Sequence, residues 1–194
     1  MSGPGAPRPA PSGGSPGSAG SAGSAGSPVS GGGAGPSPAS ERTDAREAAA
    51  ALGDETRTDF AVVVPAFDEA PVIGETVTEL REAFRRYDLR GEVVVVDDGS
   101  VDGTADVARA AGEGWDALRV ISHRSNRGKT EAVLTGAAAT ERRWIVLFDA
   151  DLQHHPDEIP RFLERLQEGW DMVTGRKVGH YGKRHVSSIY NGLS

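Results

Sequence analysis

Asp149-Ala150-Asp151 sets two carboxylates one residue apart, and a side-chain amide follows at Gln153. Carboxylate and carbonyl oxygens are hard ligands. They suit Mg²⁺ or Mn²⁺, ions that commonly share their coordination sphere with the oxygens of a bound phosphate. The run therefore predicts a metal site that holds a diphosphate. The competing reading is a loop that opens with Asp because Asp favours turns. Other charged residues recur at comparable places: Asp68 and Glu69, Asp97 and Asp98, His123 and Arg124, and Arg176. Acids can take a metal or sugar hydroxyls, and an arginine takes phosphate.

These residues follow strands. Trp144-Ile-Val-Leu-Phe148 is a run of five apolar residues, read as a strand buried on both faces. Earlier in the chain, Phe60–Val64, Glu92–Val96 and Leu118–Ser122 read as strands, and Asp171–Thr174 as a fifth. Between them lie helical patterns. Ile73, Val77, Leu80, Phe84 and Tyr87 recur at helical spacing, with Pro71 in the first turn. Asp102–Ala111 is a short helix with Asp102 as its N-cap, stopped by Gly112, and Lys129–Thr140 is an Ala-rich helix. Pro156 opens a helix that ends at Gly169 and carries Ile159, Phe162, Leu163 and Leu166 on one face. Trp144 and Phe162 are read as core. Alternating strands and helices predict an α/β fold: an open, mostly parallel twisted sheet with helices on both faces. In such sheets ligands bind beyond the carboxyl ends of the strands, where all the charged positions above fall.

Composition narrows the function. The 194 residues carry a formal net charge of -7 and no cysteine. An acidic chain does not suit nucleic acid, and the lack of cysteine excludes disulfides and thiol nucleophiles. No apolar run is long enough to span a bilayer, so membrane contact is expected to be peripheral or to need a further C-terminal segment. Residues 1–40 are almost wholly Gly, Pro, Ser and Ala. They are expected to be a disordered tail with an end-to-end distance of roughly 35 Å. Residues 41–57 are expected to be a linker holding at most a short frayed helix, and 58–194 the folded domain.

Two nucleotide motifs are absent. The position after the first strand reads Pro65-Ala-Phe-Asp-Glu69, with no Gly-x-Gly-x-x-Gly. Gly128-Lys129-Thr130 is half of a phosphate-binding loop, but the first glycine would fall at His123. The motifs that are present, Val64-Pro-Ala-Phe-Asp-Glu69, Val96-Asp-Asp-Gly-Ser-Val-Asp-Gly-Thr104, Asn126-Arg-Gly-Lys129, Asp149-Ala-Asp-Leu-Gln153 and Thr174-Gly-Arg176, resemble those of a family 2 glycosyltransferase of GT-A fold. The Asp-Leu-Gln-His-His-Pro run and Arg184-x-x-x-Ser188 resemble the dolichyl- and polyprenyl-phosphate hexosyltransferase branch.

That resemblance implies roles. Pro65, Phe67, Glu69, Val96 and Asp98 would line the base and ribose pocket. Most relatives have Tyr-Asn where this chain has Phe67-Asp68, so a hydrogen bond from the Tyr hydroxyl is lost. Asp149, Ala150 and Asp151 would meet the sugar and diphosphate of the donor. Asp149, Asp151 and Gln153 would hold Mg²⁺ or Mn²⁺. Arg176, Arg184 and Ser188 would meet the acceptor phosphate. Asp149, Asp151 and Arg176 would thus be catalytic. The implied reaction moves a hexose from a GDP-mannose or UDP-glucose type donor to a polyprenyl or dolichyl phosphate, with inversion. Its setting would be cell-envelope glycan synthesis at the cytoplasmic face of the membrane. A phosphate nucleophile, with a second pKa near 6, is already largely ionised at neutral pH, so no protein base is needed. Two alternatives stay open: transfer to a sugar or lipid hydroxyl, or a non-catalytic nucleotide-sugar binding module. The second follows from a chain that looks cut short at Ser194. Lys129 is read as an ordinary helix-start lysine, with a donor-side role as the alternative, Asp97 is left between turn and site, and His154 and His155 are read as a polar loop.

Overall fold

A computed structural model describes residues 37–151 and 155–175. Strands β1 (Phe60–Ala66), β2 (Glu92–Asp97), β3 (Leu118–Ser122) and β4 (Trp144–Leu147) form one parallel sheet in the order β3-β2-β1-β4. The helices are α1 (Pro38–Ala51), α2 (Asp54–Thr58), α3 (Ala70–Arg86), α4 (Thr104–Ala111), α5 (Lys129–Ala138) and α6 (Ile159–Gln167), with a 3₁₀ turn at Pro156–Glu158. The α/β sheet with flanking helices agrees with the sequence expectation.

Strand alternation divides the sheet's side chains between two layers. Val62, Val64, Val93, Val95 and Val146 face a large core with Ile73, Val77, Leu80 and Phe84 of α3 and Ile159 and Leu163 of α6. Burying each of these side chains stabilises the fold by about 1.5–3 kcal/mol. Val94 and Val96 face the other way, onto Ala132 of α5. Gly136 lets α5 lie directly on that face, since a Cβ there would stand 2.4 Å from Val63 Cγ1.

Five expectations are corrected. Strand β4 is buried on one face only: Ile145 is 38 % and Leu147 52 % exposed. Among the described residues it lies at the sheet edge, and α5 packs mainly on β1 and β2. Second, Asp171–Thr174 forms no strand. Its apolar content is Met172 and Val173 alone, and Met172 is 77 % exposed, too little burial to hold a strand on the sheet. Third, residues 41–57 are not a linker. They belong to α1 and α2, and Ala45, Ala48, Ala49 and Leu52 are buried. Arg57 fixes this arrangement by donating to the carbonyls of Leu52 (3.2 Å) and Tyr87 (2.9 Å), and to that of Ala49. Fourth, the N-cap of α4 is Gly103, in the left-handed region at φ 90°, not Asp102. Fifth, Phe162 is half-buried rather than core.

Candidate functional site

The ends of β1, β2 and β4 and the start of α5 enclose a cleft of about 310 Å³. Pro65, Ala66, Phe67 and Glu69 come from the end of β1 and the turn after it, and Asp98 from the end of β2. Asn126, Gly128 and Lys129 come from the turn into α5, and Asp149, Ala150 and Asp151 from the end of β4. The structure thus brings together all the expected donor-binding positions but one. Val96 is fully buried beneath the cleft against Val94 and Ala132, because its place in the β2 alternation points it at α5.

The turns that form the walls are tied to one another. Asp68 sits at φ 53°, a left-handed conformation that Asp tolerates. Its N–H donates to Ser100 Oγ (2.9 Å), and its carboxylate accepts from the Val101 N–H (3.1 Å). The Glu69 N–H donates to Thr104 Oγ1 and the Ala70 N–H to Asp102 Oδ2, each at 2.9 Å. Asp102 also accepts from the Thr104 N–H (3.0 Å) and hydroxyl (2.5 Å). Burial would push the Asp102 carboxyl up, but these donors outweigh it and hold the pKa below the usual value. Asp102 therefore joins the starts of α3 and α4 instead of capping one helix. Asp97, the last residue of β2, is buried and accepts from the Ser100 N–H at 3.1 Å.

Asp98 ties the second wall to the third. Its Oδ1 accepts from His123 Nδ1 (2.6 Å) and the Arg127 N–H (2.9 Å), and its Oδ2 from the Gly128 N–H (2.7 Å). Burial opposes the charge, yet His123 and the two amides hold the carboxyl below its ordinary pKa. An ionised carboxylate only accepts, so His123 carries a hydrogen on Nδ1 and turns Nε2 to Thr135 Oγ1 at 2.9 Å. Gly99 packs in the same region at φ 77°, where an added Cβ would stand 2.4 Å from the Ser125 carbonyl carbon.

The fourth wall holds the charge. Lys129 Nζ lies 2.6 Å from Asp149 Oδ1. Burial, then the charges of Asp151 and Asp102, push the Glu69 carboxyl above its ordinary pKa. Among the described residues no group of three or more His, Cys, Asp or Glu side chains is arranged to hold a metal ion. Two carboxylates in one cleft are nevertheless a fitting set for Mg²⁺ or Mn²⁺ when diphosphate oxygens complete the shell, because these ions rarely use an all-protein cage. The sequence left Lys129 a donor-side role only as an alternative and did not pair it with Asp149; the signal was its place at the same sheet end in Asn126-Arg-Gly-Lys129. Gln153, His154, Arg176, Arg184 and Ser188 lie outside the described residues. Among the described residues no helix is long and apolar enough to cross a membrane.

Comparison with known proteins matches residues 61–190 to the family "Glycosyl transferase family 2". An uncharacterised protein of Methanocaldococcus jannaschii is 32 % identical over 161 residues, covering 73 % of this chain and 62 % of that protein. An undecaprenyl-phosphate 4-deoxy-4-formamido-L-arabinose transferase of Pseudomonas paraeruginosa is 38 % identical over 114 residues, covering 58 % and 33 % respectively. The chain thus spans between about a third and three-fifths of the length of these two relatives. Among solved structures, a mannosyltransferase from Pyrobaculum calidifontis in complex with GDP-Man and Mn²⁺ is similar at a TM-score of 0.51 and 29 % identity. That likeness covers 66 % of this chain and 39 % of the other. The family match takes in the greater part of the chain and all four walls of the cleft: the chain belongs to glycosyl transferase family 2.

Proposed function

We propose that this chain transfers a hexose from a nucleotide-diphosphate sugar to a polyprenyl or dolichyl phosphate, with inversion at the anomeric carbon. The observation that carries the proposal is the convergence of Asp149 and Asp151 with the Pro65–Glu69 wall in one cleft at the carboxyl ends of the strands. The donor class is supported by the GDP-Man and Mn²⁺ of the similar mannosyltransferase, and the acceptor class by the undecaprenyl phosphate in the relative's name. That relative's sugar is a modified pentose, so the hexose rests on the sequence motifs and the mannosyltransferase.

Each wall has a task in this reading. Phe67 offers an apolar surface to the base, and Glu69 an acceptor to ribose hydroxyls. Asp98 works one step back, by holding the Arg127 and Gly128 amides in place. Asp149 and Asp151, with Gln153, would hold Mg²⁺ or Mn²⁺, which when bound stabilises the negative charge that builds on the departing diphosphate. Lys129 neutralises Asp149 while the cleft is empty and lies close enough to turn to a diphosphate oxygen. Arg176, Arg184 and Ser188 would take the acceptor phosphate, the arginines through paired hydrogen bonds. In this reading a lipid acceptor puts the reaction at the membrane surface, and the cytoplasmic face is part of the same proposal.

The test is a radiolabelled transfer assay with polyprenyl phosphate, a panel of GDP- and UDP-hexoses, and chelator controls. Chelator-sensitive label in the lipid from one donor is the expected result. Label on a hydroxyl acceptor alone would move the activity to the related class of transferase. Saturable nucleotide-sugar binding with no transfer to any acceptor would leave a binding module.

A further inference from the structure

Thr76 lies in the second turn of α3, is 1 % exposed, and faces the chain just beyond β4. Its hydroxyl has two carbonyls in reach: Val72 of its own helix at 3.2 Å, and Ala150 at 2.9 Å. A threonine inside a helix ordinarily returns its hydroxyl to the carbonyl four residues back. The Val72 carbonyl already receives the helical amide of residue 76, so it does not depend on the hydroxyl. Ala150 is in a different position. Past the Phe148 N–H, which donates to the Val63 carbonyl at 3.0 Å, the chain has left the β1–β4 ladder. Ala150 is itself buried, and a buried carbonyl without a donor is costly.

Ala150 stands between the two carboxylates of the cleft. A trans peptide is planar, with its C=O and N–H pointing opposite ways. Fixing the Ala150 carbonyl on α3 therefore fixes the whole Ala150–Asp151 peptide plane and turns the Asp151 N–H away from α3. The same helix begins at the Glu69 wall, so one rigid element sets the spacing between that wall and the carboxylate turn. We propose that Thr76 is a positioning residue that holds the Asp149–Asp151 turn in its ligand-binding arrangement through the Ala150 carbonyl. That the turn binds a metal–diphosphate rests on the proposed function; the anchoring does not.

The test compares Thr76→Val, which keeps the shape and loses the donor, with Thr76→Ser, which keeps the donor. The first readout, on the full chain without ligand, is backbone amide exchange. Thr76→Val is expected to accelerate exchange at 149–151 at least about tenfold while the amides of α3 keep their protection, and Thr76→Ser to stay near wild type. The second readout is the affinity for GDP and UDP with and without Mn²⁺. Thr76→Val is expected to weaken the Mn²⁺-dependent part about tenfold and leave metal-free binding unchanged. Unchanged exchange at 149–151 in Thr76→Val overturns the proposal. So does equal loss in the Val and Ser variants, or a loss of protection spread along α3, which marks a packing role alone. If wild type binds neither nucleotide, the proposed function fails, and the exchange result still decides the role of Thr76.

Discussion

At Asp98 and Asp149, immediate polar neighbours bear on what the carboxylates do. Lys129 holds Asp149 at 2.6 Å, and both side chains are partly open to solvent. Lys129→Met should therefore tighten Mn²⁺ binding to the nucleotide-free protein about five-fold, the worth of one partly screened charge pair near 1 kcal/mol. Electron paramagnetic resonance titration of Mn²⁺ measures this, and an unchanged affinity would remove Lys129 from competition for the site. Asp98 gives a pH-dependent case. Its carboxyl has a depressed pKa when folded, so its stabilisation is present above the unfolded value of about 3.9 and is lost as pH falls through the folded one. Asp98→Asn should cost about 2–4 kcal/mol at neutral pH, because it removes the buried, ionised acceptor of three part-buried donors. The gap between wild type and variant in denaturant melts should then narrow below about pH 4. A gap constant with pH would mean that charge is not what Asp98 contributes.

Elements were legible where they combine an apolar run with a bounding turn. Val62–Val64 and Val93–Val96 satisfy that rule, and β1 and β2 stand where the sequence puts them. Helix α1 fails it in the other direction. Its buried residues are Ala45, Ala48 and Ala49, and alanine on a buried face reads the same as alanine on an exposed one. The Asp171–Thr174 segment has strand-like residues but too few to bury. The boundary of the dispensable tail moves accordingly. Helix α1 is capped by Ser37, whose Oγ accepts from the Ser40 N–H at 3.2 Å. Removing residues 1–34 should change stability by less than about 0.5 kcal/mol. Removing residues 1–52 should cost about 3 kcal/mol or more, since it uncovers three alanines and a leucine's worth of packing. Urea melts of the two truncations decide this, and equal midpoints would return α1 to the linker reading.

Across the whole molecule, the parallel order β3-β2-β1-β4 brings the site together. Lys129 and Asp149 are 20 residues apart in the chain, and only the placing of β4 beside β1 makes them neighbours. No spacing rule shows this, whereas the gathering of acids after strands is visible at once from the sequence. The sheet's covering is uneven: the α3 side carries the large core, while on the other side Ile145 and Leu147 of β4 are exposed among the described residues. Leu147→Ser should therefore cost under about 1 kcal/mol, while Val62→Ala, within the large core, should cost about 2 kcal/mol or more. Equal costs in chemical denaturation would show that the outer face of β4 is covered in solution. The tied walls bear on how binding affinity arises. Asp98 and Asp102 fasten three of the four turns together before any ligand arrives, and Gly99 leaves no room for them to slide. A ligand entering the cleft then meets walls that are already assembled, and loses less conformational entropy in ordering them. Over evolutionary time the same fastening constrains change. A substitution at Asp98 or Asp102 disturbs more than one turn at once, so these two positions are the least free to change.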